Sequence, residues 1–243
     1  MANRLTLGSC LLIAILGLGA CTSGSTPSVA SNVASAPPSQ PASPASPAAA
    51  ASPSASASQS TATAAATLCA GGQSDPSCDL PPGTYSADPF KPGFMFTLTE
   101  TWTNDRRYAD GGGISLGDAA FLWGSGVVAG TVDGNEVAIA PGPAGFIAFL
   151  GKFKGFTLSE PGPVVADGVT GIQVDVETND TAASGIFQIK DDVFNLDAGE
   201  KARFILIEKD GTTVILIIDA FKAAGFDAFL TKAQPVLDSL TWE

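Results

Sequence analysis

The stretch that decides the fold is ARFILIEKDGTTVILIID, residues 202–219. Two runs rich in β-branched residues flank Asp210-Gly211, a dipeptide that accepts the positive φ angles of a tight hairpin turn. The run from Val214 to Ile218 is apolar throughout and does not alternate with polar residues. Such a run is typical of a strand covered on both faces. The sequence therefore predicts a β-hairpin in the middle of a sheet.

Further strands are predicted on the N-terminal side of this hairpin. Apolar and more polar residues alternate over residues 94–99 and 172–177, which is the period of a half-buried strand. Asp133-Gly134 and Asp167-Gly168 repeat the hairpin-turn signal. We therefore expect a mainly antiparallel sheet.

Two helices are predicted beside this sheet. The last one begins near Phe226, and its Pro235 lacks a backbone donor, which predicts a kink or a break into two pieces. Another is expected from about Pro143 to Lys154, with proline near its start and lysines near its end. The expected fold class is α+β, an antiparallel sheet with packed helices. The apolar face expected for the last helix consists of Phe226, Phe229, Leu230, Ala233, Leu237 and Leu240.

The N-terminus has the layout of a secretory signal peptide: a positive charge at Arg4, then an apolar run from Leu5 to about Leu18. The run is shorter than the roughly 20 residues of a membrane-spanning helix. Leu18-Gly19-Ala20-Cys21 resembles the lipobox of bacterial lipoproteins. That resemblance implies cleavage after Ala20 and a diacylglyceryl thioether on Cys21, which would anchor the protein to the bilayer from outside the cytoplasm. A cleaved signal peptide with a chance cysteine is the alternative.

Three regions follow from the composition. Residues 1–20 are the predicted lipoprotein signal peptide. Residues 21–67 comprise the lipidated cysteine and a linker of mostly Ala, Ser, Pro and Thr, with no charged or aromatic residue to support a core. Residues 68–243 have the length of a single globular domain. We expect the linker to be disordered and to act as a spacer, with O-glycosylation as an open addition.

Charge and cysteine content limit the partners further. Acidic residues outnumber basic ones 24 to 12, and the net charge of −12 makes nucleic acid an improbable partner. Of the four cysteines, Cys69 and Cys78 remain in the predicted domain. Outside the cytoplasm these two are expected to form a disulfide. A metal site is the alternative, but two thiols without histidine partners favour it poorly.

Four segments carry a resemblance to known proteins: GTYSADPFKPGFMFTLTETW (83–102), PGPVVADGVTGIQVDV (161–176), the hairpin of residues 202–219 and FDAFLTKAQPVLDSLTW (226–242). They resemble a group of actinobacterial-type envelope lipoproteins of unassigned role, similar in layout to PsbP-like and LpqN-like domains. The resemblance implies an α/β/α sandwich. Its motifs are apolar patterns and turns, so it assigns no functional residue.

Two glycine motifs suggest chemistry at first sight. Gly113 to Gly117 matches GxSxG, but a nucleophilic Ser115 needs a base and the chain contains no histidine. Gly124-Ser125-Gly126 resembles the start of a nucleotide loop, yet the next glycine, Gly130, is one residue too far. Glycines of strands and turns explain both motifs better.

Charged residues suggest two candidate binding sites, each of which has a simpler explanation. Asp191, Asp192, Asn195, Asp197 and Glu200 place oxygen ligands in an expected loop that could suit calcium outside the cell, although a solvated acidic loop is the common outcome. The adjacent pair Arg106-Arg107 could hold an anionic headgroup or a sugar acid. Asp105 and Asp110 could neutralise this pair instead.

Aromatic residues suggest a third possibility. Trp102 and Trp123 lie where strand patterns meet glycine-rich turns, and amphipathic rings often line ligand grooves. Burial in the core is the alternative for both tryptophans.

These features predict a lipid-anchored extracytoplasmic protein with a non-enzymatic domain and no cofactor. The domain is expected to bind a small amphipathic ligand or an envelope protein. One alternative is a carboxylate-dependent hydrolase, with or without calcium, acting on cell-envelope polysaccharide or lipid. Another is a passive spacer lipoprotein, which predicts no pocket.

Overall fold

The predicted hairpin of residues 202–219 forms the centre of the structure, a computed structural model that describes residues 65–69, 77–179, 183–189 and 192–243. The signal peptide, Cys21, most of the linker and Asp191 lie outside the described residues. Two α-helices accompany the strands: α1 (Gly142–Leu150) and α2 (Phe226–Asp238). The strands are β1 (Ala66–Thr67), β2 (Cys78–Leu80), β3 (Gly83–Ser86), β4 (Phe94–Leu98), β5 (Trp102–Arg107), β6 (Gly111–Ser115), β7 (Ala119–Ser125), β8 (Ala129–Val132), β9 (Asn135–Ala138), β10 (Phe156–Leu158), β11 (Gly162–Ala166), β12 (Val169–Thr178), β13 (Ala183–Ile189), β14 (Asp192–Leu196), β15 (Lys201–Lys209), β16 (Thr212–Ala220) and β17 (Thr241–Trp242).

The largest sheet has nine strands in the order β10-β12-β15-β16-β7-β6-β5-β2, with β11 paired to β12. Its strand pairs are antiparallel, as the sequence predicts. Strands β15 and β16 form the predicted hairpin, with Asp210 and Gly211 at φ angles of 52° and 75°. Val214 to Ile218 are at most 1% exposed, because β15 and β7 flank β16 and other layers cover both faces.

The other turn and strand predictions are also confirmed. Asp133 and Asp167 have positive φ angles, and they join β8 to β9 and β11 to β12. In β4, Phe94, Phe96 and Leu98 are buried while the residues between them are partly exposed.

One side of the large sheet, called the first face, is covered by α2 and by a four-stranded terminal sheet in the order β1-β3-β4-β17. Aromatic rings fill this layer. Phe94 lies 5.5 Å from Trp123 and 5.8 Å from Trp242, measured between ring centroids. β1 consists of two residues that the sequence analysis placed at the end of the linker, and it pairs with β3 in parallel.

The predicted break at Pro235 is wrong, since α2 runs continuously from Phe226 to Asp238. The proline removes a hydrogen bond to the carbonyl of Thr231, and both residues are exposed. Water can therefore serve that carbonyl. The buried side of the helix, including Phe229 and Ala233, holds it against the sheet.

The opposite side, called the second face, is covered by α1 and by a cover sheet in the order β14-β13-β8-β9. Phe146, Phe149 and Leu150 of α1 are buried there. The helix ends earlier than expected, before Lys152 and Lys154. It ends at Gly151, a poor helix former, and tighter turns carry the chain onward.

The predicted disulfide is confirmed: Cys69 is bonded to Cys78, with Cα atoms 6.5 Å apart. It connects the segment after β1 to the edge strand β2. The side-chain amide of Asn104 donates a hydrogen bond of 2.9 Å to the carbonyl of Cys69. The structure is therefore a mostly antiparallel fold with two helices. Over the residues it describes, no helix has both the length and the apolarity to cross a membrane.

Candidate functional site

A pocket of about 310 Å³ opens on the second face, where β5, β7 and β16 meet β14 and the turn after it. We call it the carboxylate pocket, because four acidic side chains line it. The polar lining consists of Asp105, Arg106, Asn195, Asp197, Glu200 and Asp219, and the apolar lining of Ala120, Leu122, Val193, Phe194 and Phe221.

Asp219 is the most buried acid of this pocket, with 3% of its surface exposed. It lies near the end of β16, opposite Ala202 of β15 on one side and Ala120 of β7 on the other. Of these two small neighbours, Ala120 also lines the pocket and leaves space beside the carboxyl group. Its Oδ1 atom has no hydrogen-bond partner among the residues that the structure describes.

The surroundings favour the neutral form of this carboxyl group. Burial raises the pKa of Asp219 to about 8, and the negative charges of Glu200 and then Asp197 add to the rise. Asp219 therefore holds its proton at neutral pH when the pocket contains no cation.

The turn between β14 and β15 holds the second buried acid. The carboxylate of Glu200 accepts a hydrogen bond of 2.7 Å from the backbone N–H of Asp197. The backbone N–H of Glu200 donates to the hydroxyl of Thr178 (3.0 Å), which in turn donates to the carbonyl of Asp197 (2.6 Å). Burial raises the pKa of Glu200, the N–H of Asp197 opposes this, and the charge of Asp197 raises it again. Glu200 is thus a fixed part of the pocket wall.

A register shift in β5 places Asp105 and Arg106 at the pocket. The pairing of β5 with β6 shifts by a residue between Asn104 and Arg106. Before the shift, the side chain of Asn104 is buried and bonded to Cys69. After it, Arg106 pairs with Gly113 and lines the pocket on the second face. The irregularity therefore lets one strand serve both faces.

A small apolar recess of about 20 Å³ adjoins the pocket. Leu122, Phe194 and Arg106 line both spaces. Glycines allow the cover sheet to approach here, because a Cβ atom at Gly111 or Gly124 would collide with the side chain of Ile189. The remaining lining residues of the recess are Tyr108, Gly112, Ile189 and Ile217.

The groove predicted for Trp102 and Trp123 is not formed. Both rings are buried on the first face, with 2% and 1% exposed. Trp102 packs against Phe229 of α2, and Trp123 lies among the phenylalanines of β4. Both tryptophans take the alternative role, that of core residues.

The structure separates the predicted anion site of Arg106 and Arg107. Successive side chains of a strand point to opposite faces. Arg106 lines the carboxylate pocket, whereas the guanidinium of Arg107 lies 3.5 Å from the carboxylate of Asp88.

The acidic segment is also organised differently from the expected loop. Residues 192–196 form strand β14, with Phe194 and Leu196 buried. Asn195, Asp197 and Glu200 all line the pocket, and the side-chain oxygen of Asn195 accepts a hydrogen bond from the N–H of Gly185. No group of three or more Asp, Glu, His or Cys side chains within the described ranges is arranged to hold a metal ion.

The two glycine motifs lie in sheet strands, as the sequence analysis favours. Ser115 is the last residue of β6 and pairs with Thr103 and Ala120. Ser125 ends β7, and its hydroxyl donates a hydrogen bond of 2.9 Å to the carbonyl of Lys91.

Asp219 is the pocket residue that sequence reasoning missed. Its signal was an acid placed directly after the apolar run Val214 to Ile218, inside a strand that is otherwise buried. A charged group there has to be exposed, paired or protonated.

No protein-family model matches the chain, and a search among curated proteins finds no relative. The geometry of the pocket is therefore the basis for assigning a function.

Proposed function

We propose that this protein is an extracytoplasmic lipoprotein, anchored to the membrane through Cys21, whose domain binds a small amphipathic ligand. The supporting observation is the carboxylate pocket, which combines buried polar groups with an adjoining apolar recess. Such a combination is typical of small-molecule sites. A passive spacer would need no pocket.

The rim of the pocket also supports a binding role. Val193 and Phe221 line it, and they are 43% and 44% exposed. Exposed apolar side chains beside a polar pocket give an amphipathic ligand a surface for its apolar part. An envelope protein that inserts one side chain is the alternative occupant, and the acidic surplus of the chain disfavours nucleic acid.

We also propose that the domain has the α/β/α layout of the PsbP-like and LpqN-like domains that the sequence resembles. In its favour, α2 and α1 pack on opposite faces of one sheet, as in an α/β/α sandwich.

A carboxylate-dependent hydrolase of envelope polysaccharide or lipid is the second candidate. In its favour, Asp219 holds a proton at neutral pH, as a general acid must. Against it, the other buried carboxylate, Glu200, is already bonded to the backbone of its own turn. We therefore favour binding. Cleavage of envelope polysaccharide or lipid that Asp219→Asn abolishes without loss of folding would favour the hydrolase.

Native mass spectrometry of the full chain, extracted from the membranes of its own host, tests the binding role. We expect a co-purifying small molecule that is lost on denaturation. The variant Ala120→Phe places a ring in the pocket and should lose this molecule. The matched control Val165→Phe adds the same ring at an exposed site and should retain it.

Two outcomes would contradict the proposed function. One is the apo mass alone in the unaltered protein. The other is equal occupancy in the Ala120→Phe variant, provided that thermal unfolding shows both variants to be folded.

A further inference from the structure

The unpartnered carboxyl group of Asp219 indicates the chemistry of the missing ligand. Buried polar groups in folded proteins nearly always have a hydrogen-bond partner. Asp219 is 3% exposed and lines the pocket, yet its Oδ1 has no partner in the described part of the chain. A hydrogen-bond donor supplied by a ligand would give this oxygen its missing partner.

The charge around this atom indicates which donor fits. The described lining residues carry four carboxyl groups, those of Asp105, Asp197, Glu200 and Asp219, against one guanidinium, that of Arg106. The pocket therefore stays negative even when Asp219 holds a proton. A cationic donor is favoured over a neutral hydroxyl, and an anion is repelled.

The shape of the site indicates the rest of the ligand. Ala120 and Ala202 flank Asp219, so a small head group can reach its carboxyl. Leu122 and Phe194 border both the pocket and the recess, so they offer apolar contact beside that head group. A primary ammonium is small and has three N–H donors.

From these observations, and on the basis of the proposed binding function, we infer that the ligand is an amphipathic amine. Its ammonium group binds the carboxylate of Asp219, and its apolar part lies against Leu122 and Phe194. The carboxylate of Glu200 adds negative charge but is already bonded to the backbone N–H of Asp197, and the carboxylate of Asp197 adds negative charge from an exposed position.

Proton release accompanies this binding. In the free pocket Asp219 is protonated below about pH 8, and the ammonium requires the carboxylate, so the carboxyl proton passes to the solvent. Among the described residues, the charged groups that line the pocket with Asp219 are Glu200 and Asp197 from the turn, and Asp105 and Arg106 from β5. The affinity should therefore rise about tenfold per pH unit from pH 6 to pH 8 and then level off.

The test uses three soluble probes of equal chain length: n-butylammonium, n-butanol and n-butyrate. Ligand-observed NMR measures their binding to the full chain, with empty detergent micelles as the blank. At pH 8.5, n-butylammonium should bind at least about tenfold more tightly than either other probe. Asp219→Asn should remove both this preference and the pH dependence. The matched control Asp79→Asn removes one exposed acid outside the pocket and should change neither.

The outcomes separate this inference from the proposed function. Equal binding of n-butanol and n-butylammonium, or preferred binding of n-butyrate, would overturn the amine assignment and leave a ligand pocket in place. Binding of none of the three probes would count against both. An Asp219→Asn variant that unfolds cooperatively, and so is folded, but keeps the ammonium preference would also overturn the inference.

Discussion

The two faces of the large sheet are built from the same strands but differ in how completely they are filled. On β7, Phe121 and Trp123 point to the first face, while Ala120 and Leu122 point to the second. On β16, Ile218 is part of the first-face core, whereas its neighbour Asp219 lines the pocket. Large residues close one face, and small or polar residues at alternate positions leave space on the other. The pocket thus results from residue size on β7 and β16, together with the register shift in β5.

The largest loss of stability should come from a substitution on the first face, which large residues close. Phe94→Ala removes a fully buried ring that packs against Trp123 and Trp242, and we expect a loss of about 3–5 kcal/mol of unfolding free energy. Phe221→Ala at the pocket rim should cost less than about 1 kcal/mol, because this ring is 44% exposed. Denaturant unfolding measures both. Equal losses would contradict the contrast between the faces.

The next largest effect is on stability, depends on pH and comes from Asp219 on the second face. The folded state raises the pKa of Asp219 from 3.8 to about 8, so between these values it binds more protons than the unfolded state. Stability should therefore fall as the pH rises from about 4 to 8. A change of one in the pKa corresponds to about 1.4 kcal/mol of unfolding free energy, and water in the pocket reduces this value.

Asp219→Asn should remove this pH dependence. At pH 8 we expect it to be more stable than the parent protein by about 2–4 kcal/mol, and nearly equal at pH 4. Thermal and denaturant unfolding across this pH range provide the measurement. A destabilised variant at pH 8 would show that Asp219 is paired in the folded state.

The disulfide stabilises the edge strand β2 by linking it to the segment after β1. Replacing Cys69 and Cys78 together by serine releases a loop with a sequence separation of 9, and we expect a loss of about 2–3 kcal/mol. The double replacement avoids a free thiol. Equilibrium unfolding should be measured for the oxidised parent, the reduced parent and the variant. The reduced parent and the variant should have the same unfolding free energy.

The smallest stability losses are expected from two ion pairs that differ in their exposure. Arg203 holds Asp175 through two hydrogen bonds of 2.6 and 3.0 Å, with both side chains about one-fifth exposed. Asp175→Asn should cost about 1 kcal/mol. The pair of Lys222 and Asp118 is more than three-quarters exposed, so Asp118→Asn should cost less than about 0.5 kcal/mol. A double-mutant cycle on each pair measures the difference.

Local signals were sufficient to predict the central hairpin and its neighbours. Asp210-Gly211 predicts the turn between β15 and β16, and the apolar run from Val214 to Ile218 predicts burial on both faces of the sheet. The end of α1 was less predictable, because Phe153 continues the apolar pattern beyond Gly151, where the helix stops.

The pocket was not predictable, because it depends on strand order. Ala120 and Asp219 are 99 positions apart in the sequence and become neighbours only when β7 pairs with β16. The register shift after Asn104 determines which of two adjacent arginines reaches the second face. Strand β14 did leave a signal, since Phe194 and Leu196 alternate with polar residues, but its abundant acids favoured a loop interpretation.

The disulfide also has a mechanical consequence for a domain held by its N-terminus. A force applied ahead of Ala66 would first load β1, which is only two residues long. The load would then reach Cys69 and pass through the covalent bond to Cys78 at the start of β2. Further extension would have to break the pairing of β2 with β5, while the covalent link keeps the segment between the two cysteines from being drawn out.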